Sequence, residues 1–114
     1  MTVALGIDVG GTKIAAGVVE ADTGTVHERR LLPTRPERGG KAVLDDCAGL
    51  AAELGGGTLP VGIGLCELVD LAGRPTSADT VDWRDLDPPA AIASSTTAAR
   101  TNTPNRRLFT VPSR

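Results

Sequence analysis

The chain has 114 residues, 40% of them hydrophobic and 23% charged, with a net charge of −2. That length fits one small domain, and so weak a net charge argues against a surface made for nucleic acid or an anionic membrane. Trp83 and Phe109 are its only aromatic residues, so the core has to be built from Val, Leu, Ile and Ala.

The N-terminus lacks the basic start of a signal peptide, and Asp8 interrupts its apolar run. No apolar stretch approaches the roughly 20 residues a membrane helix needs. A cytoplasmic protein without a membrane partner is expected. Cys47 and Cys66 lie in apolar contexts; one disulfide is possible, but two buried free thiols is the preferred reading. Two cysteines and a single histidine offer no metal-ligand cluster.

In chain order, Val3 to Asp8 reads as a strand apolar on both faces. Lys13 to Glu20 reads as a second, with Ile14, Ala16 and Val18 on one side and Ala15, Gly17 and Val19 on the other. Such a pattern predicts burial on both sides. Asp22 and Gly24 mark a turn, and the more polar run Val26 to Leu32 is a third strand nearer an edge. Tight turns make these three an antiparallel meander. After a loop over Pro33 to Gly40, Lys41 to Leu54 carries the strongest helical pattern, with Val43, Leu44, Cys47, Leu50, Ala51 and Leu54 on one face. Gly55 to Gly57 stop it. The apolar run 59–66 follows as a strand, and a helical crossover implies that it joins the sheet in parallel. Leu68 to Trp83 reads as loop and short strands.

The composition changes near residue 87. Residues 88–114 hold no acidic residue, and Arg100, Arg106, Arg107 and Arg114 give them +4, which leaves −6 on residues 1–87. Pro, Ala, Ser and Thr dominate, with four Ser/Thr in a row from Ser94 to Thr97. The expectation is a two-part chain: a folded lobe over 1–87 and a basic tail over 88–114. That tail reads as a nucleic-acid arm, a disordered terminus or an out-of-frame stretch. The nucleic-acid reading is disfavoured, because most of the tail lacks aromatics for base stacking.

The chemistry concentrates in "LGIDVGGTKIAAGVVE", residues 5–20. Three phosphate-binding designs compete for it. The dinucleotide fingerprint G-x-G-x-x-G needs a helix after it, but Gly10 and Gly11 are adjacent and a strand follows. Gly62 and Gly64 make a later G-x-G without a third glycine. A P-loop fails too, since Thr12 and Lys13 stand in the reverse order and again no helix follows. A strand–glycine turn–strand hairpin fits. Gly10 and Gly11 allow positive φ and close approach, and their N–H groups can make an anion nest. Thr12 adds a hydroxyl, Lys13 a point charge for phosphate, and Asp8 a carboxylate for hydrated Mg²⁺. Phosphoryl transfer is mostly positioning and charge neutralisation, which uses this set of parts. A plain β-hairpin is the alternative.

"GIDVGGTKIAAGVVE" resembles the phosphate-binding hairpin of the ROK family, the bacterial group of sugar kinases and sugar-responsive repressors within the actin–hexokinase–Hsp70 fold. The resemblance runs on through the meander, the helix, "VGIGLCELVD" and "VDWRDLD", over roughly residues 3–87. It implies an α/β fold: the N-terminal lobe of an RNase H-like, actin-like ATPase, with a mixed sheet of meander, helix and parallel strand. It implies ATP and Mg²⁺ as cofactors, and a hexose or amino sugar phosphorylated in a glucokinase-like way. Asp8 would stand at the Mg²⁺–phosphate end, and Gly10, Gly11, Thr12 and Lys13 would line the ATP phosphates. Gly64, Glu67 and Trp83 fall near the family's sugar site.

The sequence also departs from the pattern. The family's fourth strand leads into G-x-P-G-x-V-D; here Gly64, Val69 and Asp70 match, while Cys66 and Glu67 replace Pro-Gly. Glu67 could bond a sugar hydroxyl or be a solvated loop acid. Asp79 and Thr80 stand where an asparagine is usual before Trp83, and Trp83 could pack on a sugar or in the core. The family's catalytic aspartate sits in an Asn-Asp pair, and no such pair exists here: Thr103 follows Asn102 and Arg106 follows Asn105. The Cys/His zinc motif and the second lobe are missing as well, so no catalytic residue is assigned and a truncated or frameshifted, catalytically incomplete lobe is expected. The alternative is a non-catalytic sugar- or nucleotide-binding regulatory module. An incomplete lobe would expose apolar surface, so aggregation or dimerisation, with a homodimer as one possibility, is expected. His27 and the adjacent pair Asp45 and Asp46 read as solvent-facing, the pair pointing in different directions along a helix.

Overall fold

The computed structural model describes residues 3–55, 59–97 and 108–112, the backbone alone at 93–97 and 108–112. Strand β1 (Val3–Val9), β2 (Lys13–Glu20) and β3 (Val26–Pro33) form the expected antiparallel meander. Strand β4 (Val61–Leu65) returns through the helix to lie parallel to β1, with Ile7 opposite Ile63 and Asp8 opposite Gly64. β3 is the exposed edge strand, broken by a bulge opposite Ala16 and Val18 where Glu28 takes φ 49°.

Helix α1 (Gly40–Glu53) matches the apolar spacing, and Val43, Leu44, Cys47, Leu50 and Ala51 are its buried stripe. Gly55 stops it with φ 90°, a conformation that costs glycine little. The stripe packs on Leu5, Ile7 and Val9 of β1, Ile14 and Ala16 of β2, and Val61, Ile63 and Leu65 of β4. All are aliphatic or small, as the near-absence of aromatics requires.

On the other face of the sheet Gly17 is buried but Ala15 and Val19 are only half-buried, so β2 falls short of the burial on both sides that its pattern predicts. Gly6, Asp8, Ala15, Gly17, Gly62 and Gly64 line a trough of about 880 Å³ whose walls come from strands alone. The pattern misled because small residues fit a doubly buried strand and an uncovered face equally well.

The stretch after Asp87 also differs from expectation. Helix α2 (Pro88–Thr97) packs against α1 and buries Pro88 and Ile92, and strand β5 (Leu108–Pro112) pairs in parallel with β4, giving the sheet order β3-β2-β1-β4-β5. The helix has a physical start signal. Asp87 caps it, its Oδ1 accepting the Ala90 N–H at 3.2 Å, and Pro88 and Pro89 occupy the first turn, where a missing N–H costs nothing. The four tail arginines, Asn102 and Asn105 lie outside the described residues. No described helix is long and apolar enough to cross a membrane.

Candidate functional site

The hairpin between β1 and β2 closes tightly: the Gly10 N–H donates to the Lys13 carbonyl at 2.9 Å, leaving Gly11 and Thr12 at the tip. Asp8, Gly11, Thr12 and Lys13 are all exposed, and Gly10 is half-buried. The expected residues are therefore together at one end of the sheet. The expected reason for the glycines is corrected, however. Neither has positive φ. What they provide is closeness: a Cβ at Gly10 would lie 3.1 Å from the Lys13 carbonyl oxygen, and one at Gly11 would lie 3.3 Å from Cγ2 of Thr80.

Asp8 and Gly64 face each other across the β1–β4 ladder, and both line the open trough with Lys13. The glycine leaves the space beside the carboxylate free. A lone exposed carboxylate suits Mg²⁺, which keeps most of its waters and takes one or two carboxylates together with phosphate oxygens. Among the described residues no cluster of three His, Cys, Asp or Glu side chains could hold a metal.

A support that the sequence did not reveal holds the hairpin. Thr34, fully buried just after β3, donates its Oγ1 to the Gly10 carbonyl at 2.8 Å, and its backbone N–H bonds the Thr12 carbonyl at 2.9 Å. Arg38 ties the Thr34 carbonyl at 2.7 Å to the Asp46 carboxylate at 2.7 Å, so the turn is linked to α1. The signal in the sequence was the Thr itself, a hydroxyl beside Pro33 at a strand end.

Glu67 is neither a solvated acid nor free to meet a sugar. It is 4% exposed. Its Oε1 accepts the N–H groups of Thr80 at 2.7 Å and Val81 at 3.2 Å; Oε2 accepts the Ser77 hydroxyl at 2.8 Å and the Asp79 N–H at 3.1 Å. Four bonds fill a carboxylate's acceptor positions. Desolvation pushes its pKa up, but these bonds outweigh it and hold the group below the usual carboxylate range.

Trp83 is 2% exposed and lies over the start of α1, where a Cβ at Gly40 would meet its ring at 3.1 Å and the Asp82 carbonyl more closely still. It is a core residue here, and its buried Nε1–H has no acceptor among the described residues. Of Gly64, Glu67 and Trp83, Gly64 alone faces open space beside Asp8.

Both cysteines are free thiols. Burial first, and then the Asp46 charge, pushes Cys47 up to about 12. Half-buried Cys66 is raised by burial and by Glu67, against the lowering effect of its hydrogen bonds, one of them with Thr80. Neither is poised as a nucleophile. His27 is exposed beside Glu20, and Asp45 and Asp46 pair separately with Lys41 and Arg38, as their divergent directions required.

No family model matches the chain. A glucokinase of Streptomyces coelicolor is 35% identical over 88 residues, 74% of this chain and 26% of that protein. An N-acetylmannosamine kinase of Shigella boydii is 46% identical over 50 residues, 44% of this chain and 17% of that protein. The chain thus spans about a quarter or less of the length of these curated relatives. Among solved structures, a ROK family glucokinase from Streptomyces griseus, in complex with glucose and AMPPNP, matches with a TM-score of 0.71 at 25% identity, over 96% of this chain and 33% of that one. An inorganic polyphosphate/ATP-glucomannokinase from an Arthrobacter species matches with a TM-score of 0.78 at 25% identity, over 98% and 44%. With the meander, the crossover strand and the D-x-G-G-T-K hairpin in place, the chain has the actin-like ATPase fold of the ROK family glucokinases and is similar to that family in sequence.

Proposed function

We propose that the chain is the phosphate-binding part of a glucokinase-like sugar kinase, which transfers phosphate from ATP to a hexose or amino sugar. The carrying observation is the hairpin end of the sheet, where Asp8 and Lys13 line the trough with Gly64 and the Gly11–Thr12 turn between them is exposed. The turn offers its exposed backbone and a hydroxyl to phosphate oxygens, and Lys13 neutralises their charge. Asp8 would hold Mg²⁺, which supplies charge neutralisation between phosphates when bound. The activity and ligands named for the relatives support this reading: sugar kinases, one of them with glucose and an ATP analogue bound.

The 114 residues contain no Asn-Asp pair to supply a base for the sugar hydroxyl. These residues would bind phosphate without supplying that base. Mg·ATP added to ¹⁵N-labelled protein should shift the amide signals of Gly10 to Lys13, and Asp8→Ala should weaken the Mg²⁺-dependent part. A coupled ATP–glucose assay should stay at the blank. Turnover clearly above it would overturn the reading that the base is missing from these residues, and unmoved hairpin signals at millimolar Mg·ATP would overturn the phosphate site.

A nucleotide-binding regulatory module is the second reading, favoured by the saturated Glu67 carboxylate and the buried Trp83, which leave two of the expected sugar contacts occupied elsewhere. Calorimetry separates the two: a module evolved to bind takes up Mg·ATP at micromolar concentrations, a half-site does not. Exposed Leu31 and Val26 on the trough's rim support self-association, which sedimentation would detect.

A further inference from the structure

The loop over residues 77–81 has no regular structure, yet its polar backbone is bound to a single side chain. Ser77, Asp79, Thr80 and Val81 all donate to the Glu67 carboxylate. Glu67 stands two residues beyond the end of β4, so the carboxylate fastens the loop to the strand that flanks β1. The loop then delivers Thr80. Its methyl reaches the hairpin tip, where an added Cβ on Gly11 would stand at 3.3 Å. Its hydroxyl bonds Cys66, the residue between β4 and Glu67. The hairpin tip has its other brace on the far side, through Thr34.

We infer that Glu67 is a positioning residue for the phosphate hairpin: it touches no ligand, and it sets the Gly11–Thr12 tip by clamping the loop that carries Thr80. The geometry divides the carboxylate into two functional halves. Oε1 takes the Thr80 and Val81 N–H groups and so bears on the tip. Oε2 takes Ser77 and Asp79 and bears on the loop alone. A glutamine with its oxygen in the Oε1 place keeps the first pair and loses the Asp79 acceptor. The clamp should therefore survive Glu67→Gln at the hairpin and fail in Glu67→Ala. Its bearing on phosphate rests on the proposed function; its bearing on the tip does not.

The experiment is amide NMR on the whole chain, first without ligand and then with Mg·ATP and with inorganic tripolyphosphate. In ligand-free Glu67→Ala the Thr80 and Val81 amides should exchange with solvent about tenfold faster or more. The Gly11 and Thr12 signals should shift or broaden, while those of α1 and the middle of β1 stay in place. Half-saturation of the hairpin shifts should then need several-fold more phosphate probe. Glu67→Gln should keep the Gly11 and Thr12 signals near those of the natural protein. Thr80→Ser, which removes only the methyl at the tip, should move the Gly11 signal without speeding exchange at Val81, and it carries the test if Glu67→Ala does not fold. Faster exchange at Thr80 and Val81 with Gly11 and Thr12 unmoved would overturn the proposal, as would a Thr80→Ser spectrum unchanged at Gly11. If the natural protein ignores both phosphate probes, the proposed function fails, and the ligand-free comparison still decides the role of Glu67.

Discussion

The two faces of the sheet are made from the same strands and have opposite characters. Toward α1, alternate residues are Leu5, Ile7 and Val9 on β1 and Val61, Ile63 and Leu65 on β4, all nearly or fully buried. On the reverse, the residues between them are Gly6, Asp8, Gly62 and Gly64, and they line a trough. One face supplies the burial that holds the fold. The other leaves the Asp8 carboxylate accessible, as the proposed site requires. The contrast teaches that a glycine-rich alternation in a strand can mark a sparsely covered face, and the proposed function puts stability and binding on alternate residues of one segment.

The largest effect should come from breaking the packed face. Ile63 is fully buried in the centre of β4. Ile63→Ala removes its contacts with the α1 stripe and leaves a cavity, so urea unfolding should show a loss of about 2–5 kcal/mol. A loss well under 1 kcal/mol would mean that α1 does not depend on this face.

The next effect belongs to the end of β4, where Glu67 joins the loop to the hairpin. Its carboxyl is held below the ordinary glutamate range in the fold, against burial, by its four hydrogen bonds. As pH falls below the unfolded value of about 4.3, the unfolded chain takes up the proton first. The contribution is therefore complete above that pH and declines as pH falls toward the folded value. Asp82 is likewise held down, to about 2, chiefly by its hydrogen bonds with Arg84. Comparing the natural protein with Glu67→Gln between pH 5 and 3 isolates the Glu67 part: the gap in stability should narrow as pH falls. A gap independent of pH would show that the charge on Glu67 is not what the loop is holding.

Much of this was legible in the residues. β1 to β4 and α1 follow from apolar period, and the hairpin's position follows from D-x-G-G-T-K between two strands. What escaped depended on contacts between distant segments. Glu67 looks like a loop acid because the N–H groups it binds belong to residues 12–14 positions later, and nothing periodic announces a loop folding back. Thr34 meets Gly10 across 24 residues. The start of helix α2 is legible in Asp87-Pro88-Pro89 and in the likeness of "WRDLDPPAAIA" to a helix start in the ROK family, but its Ala, Ser and Thr content gives a weak apolar stripe that hides how far it runs. β5 is defined by its pairing with β4, which the local sequence does not encode. The glycines of the hairpin were placed correctly for the wrong reason: closeness to Lys13 and Thr80, and no need for positive φ.

The smallest effect is the sharpest test of the comparison, since it uses the neighbour of Ile63. Gly62 points to the open face, and a Cβ built there meets nothing within 4 Å. Its backbone is not in the positive-φ region, so alanine adopts it without strain. Alanine also narrows the unfolded ensemble, so Gly62→Ala should lie between no change and a gain of about 1 kcal/mol. The same urea experiment reads it one residue away from a substitution expected to cost several times as much. A loss above 1 kcal/mol would mean that something is seated in the trough in solution. The side of the sheet that bears Asp8 and Gly64 would then be a packed face as well, and the division between a face for stability and a face for binding would fall.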